Sequence, residues 1–285
     1  MEIDQLVNSL GQVGFYQPII ECITNSLEAN STNITVELFS ACREGTMYVD
    51  DRFVNKVVVS DDGEGFTESN FNAFKEYKTK KKIHLGCKGV GRLTWLKIFN
   101  KAEIKSILRK NDEIIKMEFL FDENFDYDLK PNISKMPSST KAMETTVTLS
   151  DLKNEDNSIP EDVEKFRNAI FIKLLPKLLL LDHQFNISFK ANHAGVKIQT
   201  IKSSDLPKLI DEKFTVTVDS QEQEFVLRYN VTDGKDGKTI QHKTHAYYCA
   251  NKRTVETFES KGLTVNLSAH DNNYGIFLLE SKLFD

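Results

Sequence analysis

Three glycines, a lysine and an arginine share the seven positions of GCKGVGR, residues 86–92. Glycine permits positive φ and lets backbone amides approach a ligand with no Cβ in the way, so the cluster suits a bound phosphate as well as a flexible turn. Two common phosphate signatures are missing. No Lys-Ser/Thr pair follows the loop, and neither GEGFTE nor GVGRLT completes GxGxxG. Upstream, in ECITNSLEA, Glu21, Asn25 and Glu28 stand four and three residues apart. At about 100° per residue they line one face of a helix, with Ile19, Ile23 and Leu27 on the other. Such a helix is either an ordinary amphipathic one or one whose apolar side anchors it while its polar stripe looks into a cavity. Between these segments, VVVSDDGEG runs a strand into an aspartate and two glycines, which by itself reads as a tight turn.

The elements that must position these residues follow from periodicity. Ile3, Leu6, Val7 and Leu10 recur at helical spacing, and a second helix is predicted from Pro18 to about Ala29. NITVELFSA and NKVVVS read as strands, the second with the unbroken β-branched character of a strand covered on both faces. Residues 66–82 read as a short helix entering a lysine-rich loop, and RLTWLKIFN as the helix opened by the glycine stretch, where an anion is expected. AEIKSILRK and EIIKMEFLF flank Asn111-Asp112 as a hairpin, and TTVTLS adds a strand. Val163, Phe166, Ile170 and Leu174 mark another amphipathic helix, disturbed near Pro176, before FNISFKA returns to strand alternation. The predicted class is an α/β chain whose first domain, residues 1–204, is an α+β sandwich with a largely antiparallel sheet. KSSDLPK is the linker candidate. FTVTVD, EFVLRYNV, HAYYCAN, GLTVNLS and GIFLLES then form a strand-rich second domain, residues 205–285, with turns at DGKDG and HDNN.

Composition narrows the class. A chain of 285 residues, 40% hydrophobic and 28% charged, can bury a sizeable core in two domains. Its net charge of −5 gives no general attraction to nucleic acid or an anionic membrane. No apolar run approaches a membrane span, and MEIDQLVNSL is too acidic and amphipathic for a secretory signal, so the expected location is cytoplasmic. Cys22, Cys42, Cys87 and Cys249 are scattered without a CxxC pair, which fits reduced thiols and argues against a zinc site. His242 and His245 form an HxxH in a predicted strand without further ligands, which argues against a metal role.

Taken in order, ExxxNSLEA, DDGEG and GCKGVG resemble the three motifs of the GHKL ATPases, the superfamily of DNA gyrase, the large heat-shock chaperones, sensor histidine kinases, MutL and MORC proteins. METTVTLSDL is similar to the GTTV strand of MutL-like members, with Glu144 in place of the glycine. The resemblance implies a Bergerat fold binding ATP and Mg²⁺ and hydrolysing ATP to ADP and phosphate. It implies that Glu21 is the general base for the attacking water, that Asn25 gives its amide oxygen to Mg²⁺, and that Asp61 accepts a hydrogen bond from the adenine amino group. Gly63 and Gly65 let backbone pass close to the base, and Thr145 is the adenine-side threonine. The amides of Gly89, Val90 and Gly91 hold phosphate oxygens, with Gly86 and Lys88 of the same loop also among the nucleotide contacts. The lysines of KTKKK, residues 78–82, lie where a lid crosses the nucleotide, and Arg92 follows the loop. Glu28 stands where the family usually has aspartate.

HAYYCANKRTVE is similar to the VNGR strand of MutL-type transducer domains, whose γ-phosphate lysine lies well downstream of it. The chain stops almost directly after an apolar strand, and the expectation is a fragment with a truncated transducer. The implied partners are ATP, a second copy of the chain in an ATP-dependent dimer, and DNA through a full-length protein, with no membrane. Three readings stay open: an ATPase that drives conformational change in a larger DNA-processing protein, a nucleotide sensor that changes assembly without significant hydrolysis, and a chaperone-like ATPase. A histidine kinase is disfavoured, because no preceding helix carries a phosphoacceptor histidine.

Overall fold

The computed structural model describes residues 3–42, 52–75, 91–110, 112–140, 143–154, 162–192, 197–232, 244–250, 253–258 and 274–284. The chain divides into two units. The first takes in Met1–Ile83, Cys87–Phe171 and His183–Ile201, and the second consists chiefly of Ile172–Asp182 and Lys202–Asp285.

In the first unit, α1 (Ile3–Ser9) buries Ile3, Leu6 and Val7, one helical stripe. Pro18 sits in the first turn of α2 (Gln17–Glu28), where its missing N–H costs no helical bond, and Ile19, Ile23 and Leu27 are buried at the predicted spacing. β1 (Asn33–Cys42) and β2 (Arg52–Asp61) follow, then α3 (Glu68–Lys75) and α4 (Leu93–Ile98). β3 (Phe99–Lys110), β4 (Glu113–Asp122), β5 (Asn132–Met136) and β6 (Glu144–Leu152) lead to α5 (Val163–Leu179), whose residues from Ile172 onward count with the second unit, and then to β7 (Asn186–Ala191) and β8 (Gln199–Lys202). These eight strands form one sheet in the order β5-β4-β3-β6-β2-β1-β7-β8. The pairings from β5 across to β1 are antiparallel and β1–β7 is parallel.

One face of this sheet is apolar, carrying Val57 and Val59 of β2, Ala102 and Ile104 of β3, and Val147 and Leu149 of β6. α2 packs on β2 and on α4, and α4 packs on α1 and β3. Two local expectations change. β2 is buried on one side only, with Val57 and Val59 inside and Val58 half-buried, because β-branched residues suit either face of a strand. The helix predicted over RLTWLKIFN ends at Ile98; Phe99 and Asn100 open β3, and Phe99 is fully buried as a strand residue. Pro176 lies inside α5, which runs on to Leu179.

The second unit holds β9 (Ile210–Val218), β10 (Gln221–Thr232), β11 (His245–Ala250), β12 (Arg253–Phe258) and β13 (Tyr274–Glu280), ordered β12-β11-β13-β10-β9. Positive φ at Asp219 and Ser220 closes the β9–β10 hairpin with the backbone twist that such two-residue turns favour. HAYYCANKRTVE, read as one strand, is two antiparallel strands, β11 and β12. β11 pairs parallel to β13. Arg228 ties β10 to its neighbours through ion pairs with Glu280 and with Asp211, the latter at 3.4 Å. GLTVNLS and the DGKDG turn lie outside the described residues.

Candidate functional site

The polar stripe of α2 comes out as the spacing requires: Glu21 and Glu28 are half-buried and Asn25 is exposed. Gln17 Nε2 donates to Glu21 Oε1 at 3.1 Å, one turn earlier on the same helix. Another neighbour of Glu21 comes from the end of the glycine stretch. A Cβ built on Gly91 would lie 2.8 Å from Glu21 Cδ and closer still to its Oε2, so only glycine lets backbone reach this carboxylate. Gly91 is held by α4: Thr94 Oγ1 donates to its carbonyl at 2.6 Å and Thr94 N at 3.0 Å.

The end of β2 builds the second part. Asp61 is buried, and both its oxygens are engaged. Ser26 Oγ donates to Oδ2 at 2.8 Å and Gly63 N to Oδ1 at 2.9 Å. Burial raises the Asp61 pKa, the Ser26 and Gly63 hydrogen bonds oppose that rise, and the charges of Asp62 and Glu144 add to it. Asp61 pairs across the sheet with Thr145 of β6, which in turn pairs with Ser106 of β3, so these three residues form a row on one face. Ser106 Oγ and Thr145 Oγ1 are 2.9 Å apart, and Phe66 N donates to Ser106 Oγ at 2.9 Å. Gly65 lies over this pair at φ +75°, and a Cβ there would come within 2.6 Å of Ser106 Oγ and 3.3 Å of Thr145 Oγ1. Gly63 makes a similar close approach to the carbonyl of Ala29, at 2.7 Å from a Cβ. Glu144, which opens β6, is exposed.

Asp62 has a different task. Its carboxylate accepts from Ser31 Oγ at 2.7 Å and, each at 2.8 Å, from the backbone amides of Thr32 and Asn33, Thr32 Oγ1 and Asn33 Nδ2. Partial burial pushes its pKa up, but the Asn33, Ser31 and Thr32 hydrogen bonds prevail and hold it well below the ordinary carboxylate range. Asp62 thereby ties the turn after β2 to the connection between α2 and β1. Arg92 is buried, with its guanidinium 5.1 Å over the ring of Phe74 in an aromatic group that includes Trp95, Phe119 and Phe121. Burial lowers its pKa, partly offset by Tyr127.

Glu21 and Gly91 therefore come together at one place, and Asp61, Gly63, Gly65 and Thr145 at another, with α2 reaching both through Glu21 and Ser26. Asn25 projects from the same helix between them in sequence. Gly86, Lys88, Gly89, Val90 and the lysines of 78–82 lie outside the described residues. Sequence reasoning missed Ser26, Ser106 and the role of Asp62. A signal existed for the two serines. Ser26 interrupts the apolar stripe of α2, and Ser106 takes an inward position in the alternation Ala102, Ile104, Ser106, Leu108. No group of three or more His, Cys, Asp or Glu able to hold a metal occurs among the described residues, and no described helix is long and apolar enough to cross a membrane.

Residues 14–153 match the family model of the histidine kinase-, DNA gyrase B-, and HSP90-like ATPases. In fold the chain is similar to the crystal structure of the N terminal domain of a DNA repair protein, with a TM-score of 0.53 and 14% identity over 95% of this chain and 84% of that one. The Aquifex aeolicus MutL ATPase domain complexed with ADP is similar at 15% identity, covering 92% of this chain and 89% of that one with a TM-score of 0.46. Among curated proteins none matches.

Proposed function

Because residues 14–153 place the chain in the histidine kinase-, DNA gyrase B- and HSP90-like ATPase family, with its mixed α/β ATP-binding fold, we propose that it binds Mg-ATP and hydrolyses it to ADP and phosphate. In this reading residues 1–204 are the ATP-binding module and 205–285 a transducer-like domain. Turnover drives a conformational change or the pairing of two chains within a DNA-processing protein.

The base is read by a pair of opposite polarity. Asp61 offers a carboxylate acceptor to an exocyclic amine, and the neighbouring Thr145 hydroxyl faces the adjoining ring edge. Adenine carries an amine next to a ring acceptor, whereas guanine reverses both groups. A buried carboxylate facing the guanine O6 would be two acceptors in contact, which costs the full desolvation of each. Glu21 takes a proton from water as the water oxygen bonds to the γ-phosphorus and the bond from that phosphorus to the ADP oxygen breaks. The observation that carries the hydrolytic reading is the approach of Gly91 to Glu21, which brings backbone from the end of the glycine stretch against the carboxylate read here as the general base.

The donor chemistry of α2 fits Mg²⁺. This ion takes oxygen ligands and keeps several waters and the substrate phosphates around it, so a single exposed carboxamide suffices and no carboxylate cluster is needed. Asn25 would hold it, and it would neutralise charge on the phosphates. The test pairs two variants. Glu21→Ala should lose at least about 10²-fold in phosphate release while retaining ATP affinity, and Asn25→Ala should lose the magnesium-dependent part of binding. A Glu21→Ala protein that hydrolyses ATP like its parent would remove the hydrolytic assignment.

A further inference from the structure

Ser106 stands outside every motif that identifies the site, yet it is fully buried directly beside Thr145. Each hydroxyl has one proton to give, and the surroundings decide which way the two point. Ser106 Oγ already accepts from Phe66 N at 2.9 Å. Were Thr145 to donate as well, the Ser106 proton would be enclosed with no acceptor among the described residues, a desolvation cost that the reverse arrangement avoids. Donation from Ser106 to Thr145 satisfies the buried group and leaves the Thr145 proton available at the less enclosed end of the chain. Gly65 closes the arrangement, since any side chain there would occupy the place of the Ser106 hydroxyl.

The geometry points to Ser106 as a positioning residue for base selection: the relay from Phe66 N–H through the Ser106 hydroxyl fixes Thr145 as a donor toward the ring nitrogen beside the adenine amine. This rests on the reading of the Asp61–Thr145 pair as the adenine site. N1, the ring nitrogen bonded to the carbon that bears the amine, supplies the required acceptor, and guanine carries N1–H at that position. Without Ser106 the Thr145 hydroxyl can turn and present a lone pair, and the distinction between acceptor and donor at the base edge weakens.

The experiment is a double-mutant cycle of Ser106→Ala and Thr145→Val, with calorimetric binding of ATP, 1-deaza-ATP and 7-deaza-ATP to each of the four proteins. For the parent, 1-deaza-ATP should bind about five- to tenfold more weakly than ATP and 7-deaza-ATP about as tightly as ATP. Ser106→Ala should bring ATP down to within about twofold of 1-deaza-ATP and leave the affinity for 1-deaza-ATP unchanged. In the Thr145→Val background it should have no further effect. A merely structural role for Ser106 would instead weaken all three nucleotides by one factor, and would do so equally whether position 145 carries threonine or valine; that result overturns the proposal. Parent protein that binds 1-deaza-ATP as tightly as ATP overturns it too, while leaving adenine recognition through Asp61 intact. A parent that binds no adenine nucleotide overturns the adenine site itself, and the assignment of Ser106 with it. Should Ser106→Ala not fold, Ser106→Cys keeps the volume with a weaker donor and must narrow the same ratio; an unchanged ratio overturns the assignment.

Discussion

Replacing Gly91 by alanine separates chemistry from folding more sharply than removing the base does. The added Cβ would sit 2.8 Å from Glu21 Cδ and nearer to Oε2. Ordinary carbon–carbon contact begins near about 3.5 Å, so the carboxylate must retreat by roughly 1 Å. The obstructing atoms are the far end of a flexible side chain, and φ at 91 is not in the left-handed region, so backbone strain adds nothing. The cost to stability should stay within about 1 kcal/mol, that of one off-rotamer side chain. Turnover is another matter. A displacement of about 1 Å in a positioned reacting group can cost about 10²-fold, so Gly91→Ala should approach the loss expected of Glu21→Ala. The assay is steady-state phosphate release, with calorimetric ATP affinity and urea unfolding on the same preparations. Because both changes act on one carboxylate, the double variant should be no slower than Glu21→Ala. The reasoning fails if Gly91→Ala turns over like the parent in a protein where Glu21→Ala is inactive, or if the two losses multiply.

Asp61→Ala removes a charged acceptor whose hydrogen bonds contribute roughly 1.5–3 kcal/mol, and should weaken ATP binding by about tenfold or more; unchanged affinity in a folded variant would exclude Asp61 from the site. Gly65→Ala places a side chain at φ +75° and against Ser106 Oγ, and should destabilise by about 2–3 kcal/mol in urea unfolding. Asp62→Asn tests the clamp through pH. The folded-state pKa of Asp62 is depressed, so its contribution is fully present above the ordinary carboxylate pKa of about 4 and is lost as pH falls below it. The stability gap between parent and variant should therefore be widest near neutrality and shrink in acid; a gap independent of pH from 7 to 3 would refute the assignment.

By itself the sequence determined what depends on neighbours along the chain. The stripe of Glu21, Asn25 and Glu28, with Ile19, Ile23 and Leu27 behind it, follows from a helical period that no tertiary contact needs to supply. β2 ends in its turn at the predicted Asp61, and Phe99 was lost to a strand only because one apolar residue at a helix end fits either period. What the tertiary structure decided is which distant segments meet. Asp61, Thr145 and Ser106 form a row only through the registers of β2, β6 and β3, and a slip of one residue would turn each of these side chains to the opposite face. Those registers are set by burial over whole strands, with Val57, Val59, Val147 and Leu149 inside, and burial is a property of the packed sheet that no local window contains. The same holds for Ser26 and Ser106. Each looked like an imperfection in an apolar pattern until folding brought a carboxylate to one and a threonine to the other, because a buried hydroxyl is stable only where a partner from elsewhere in the chain satisfies it.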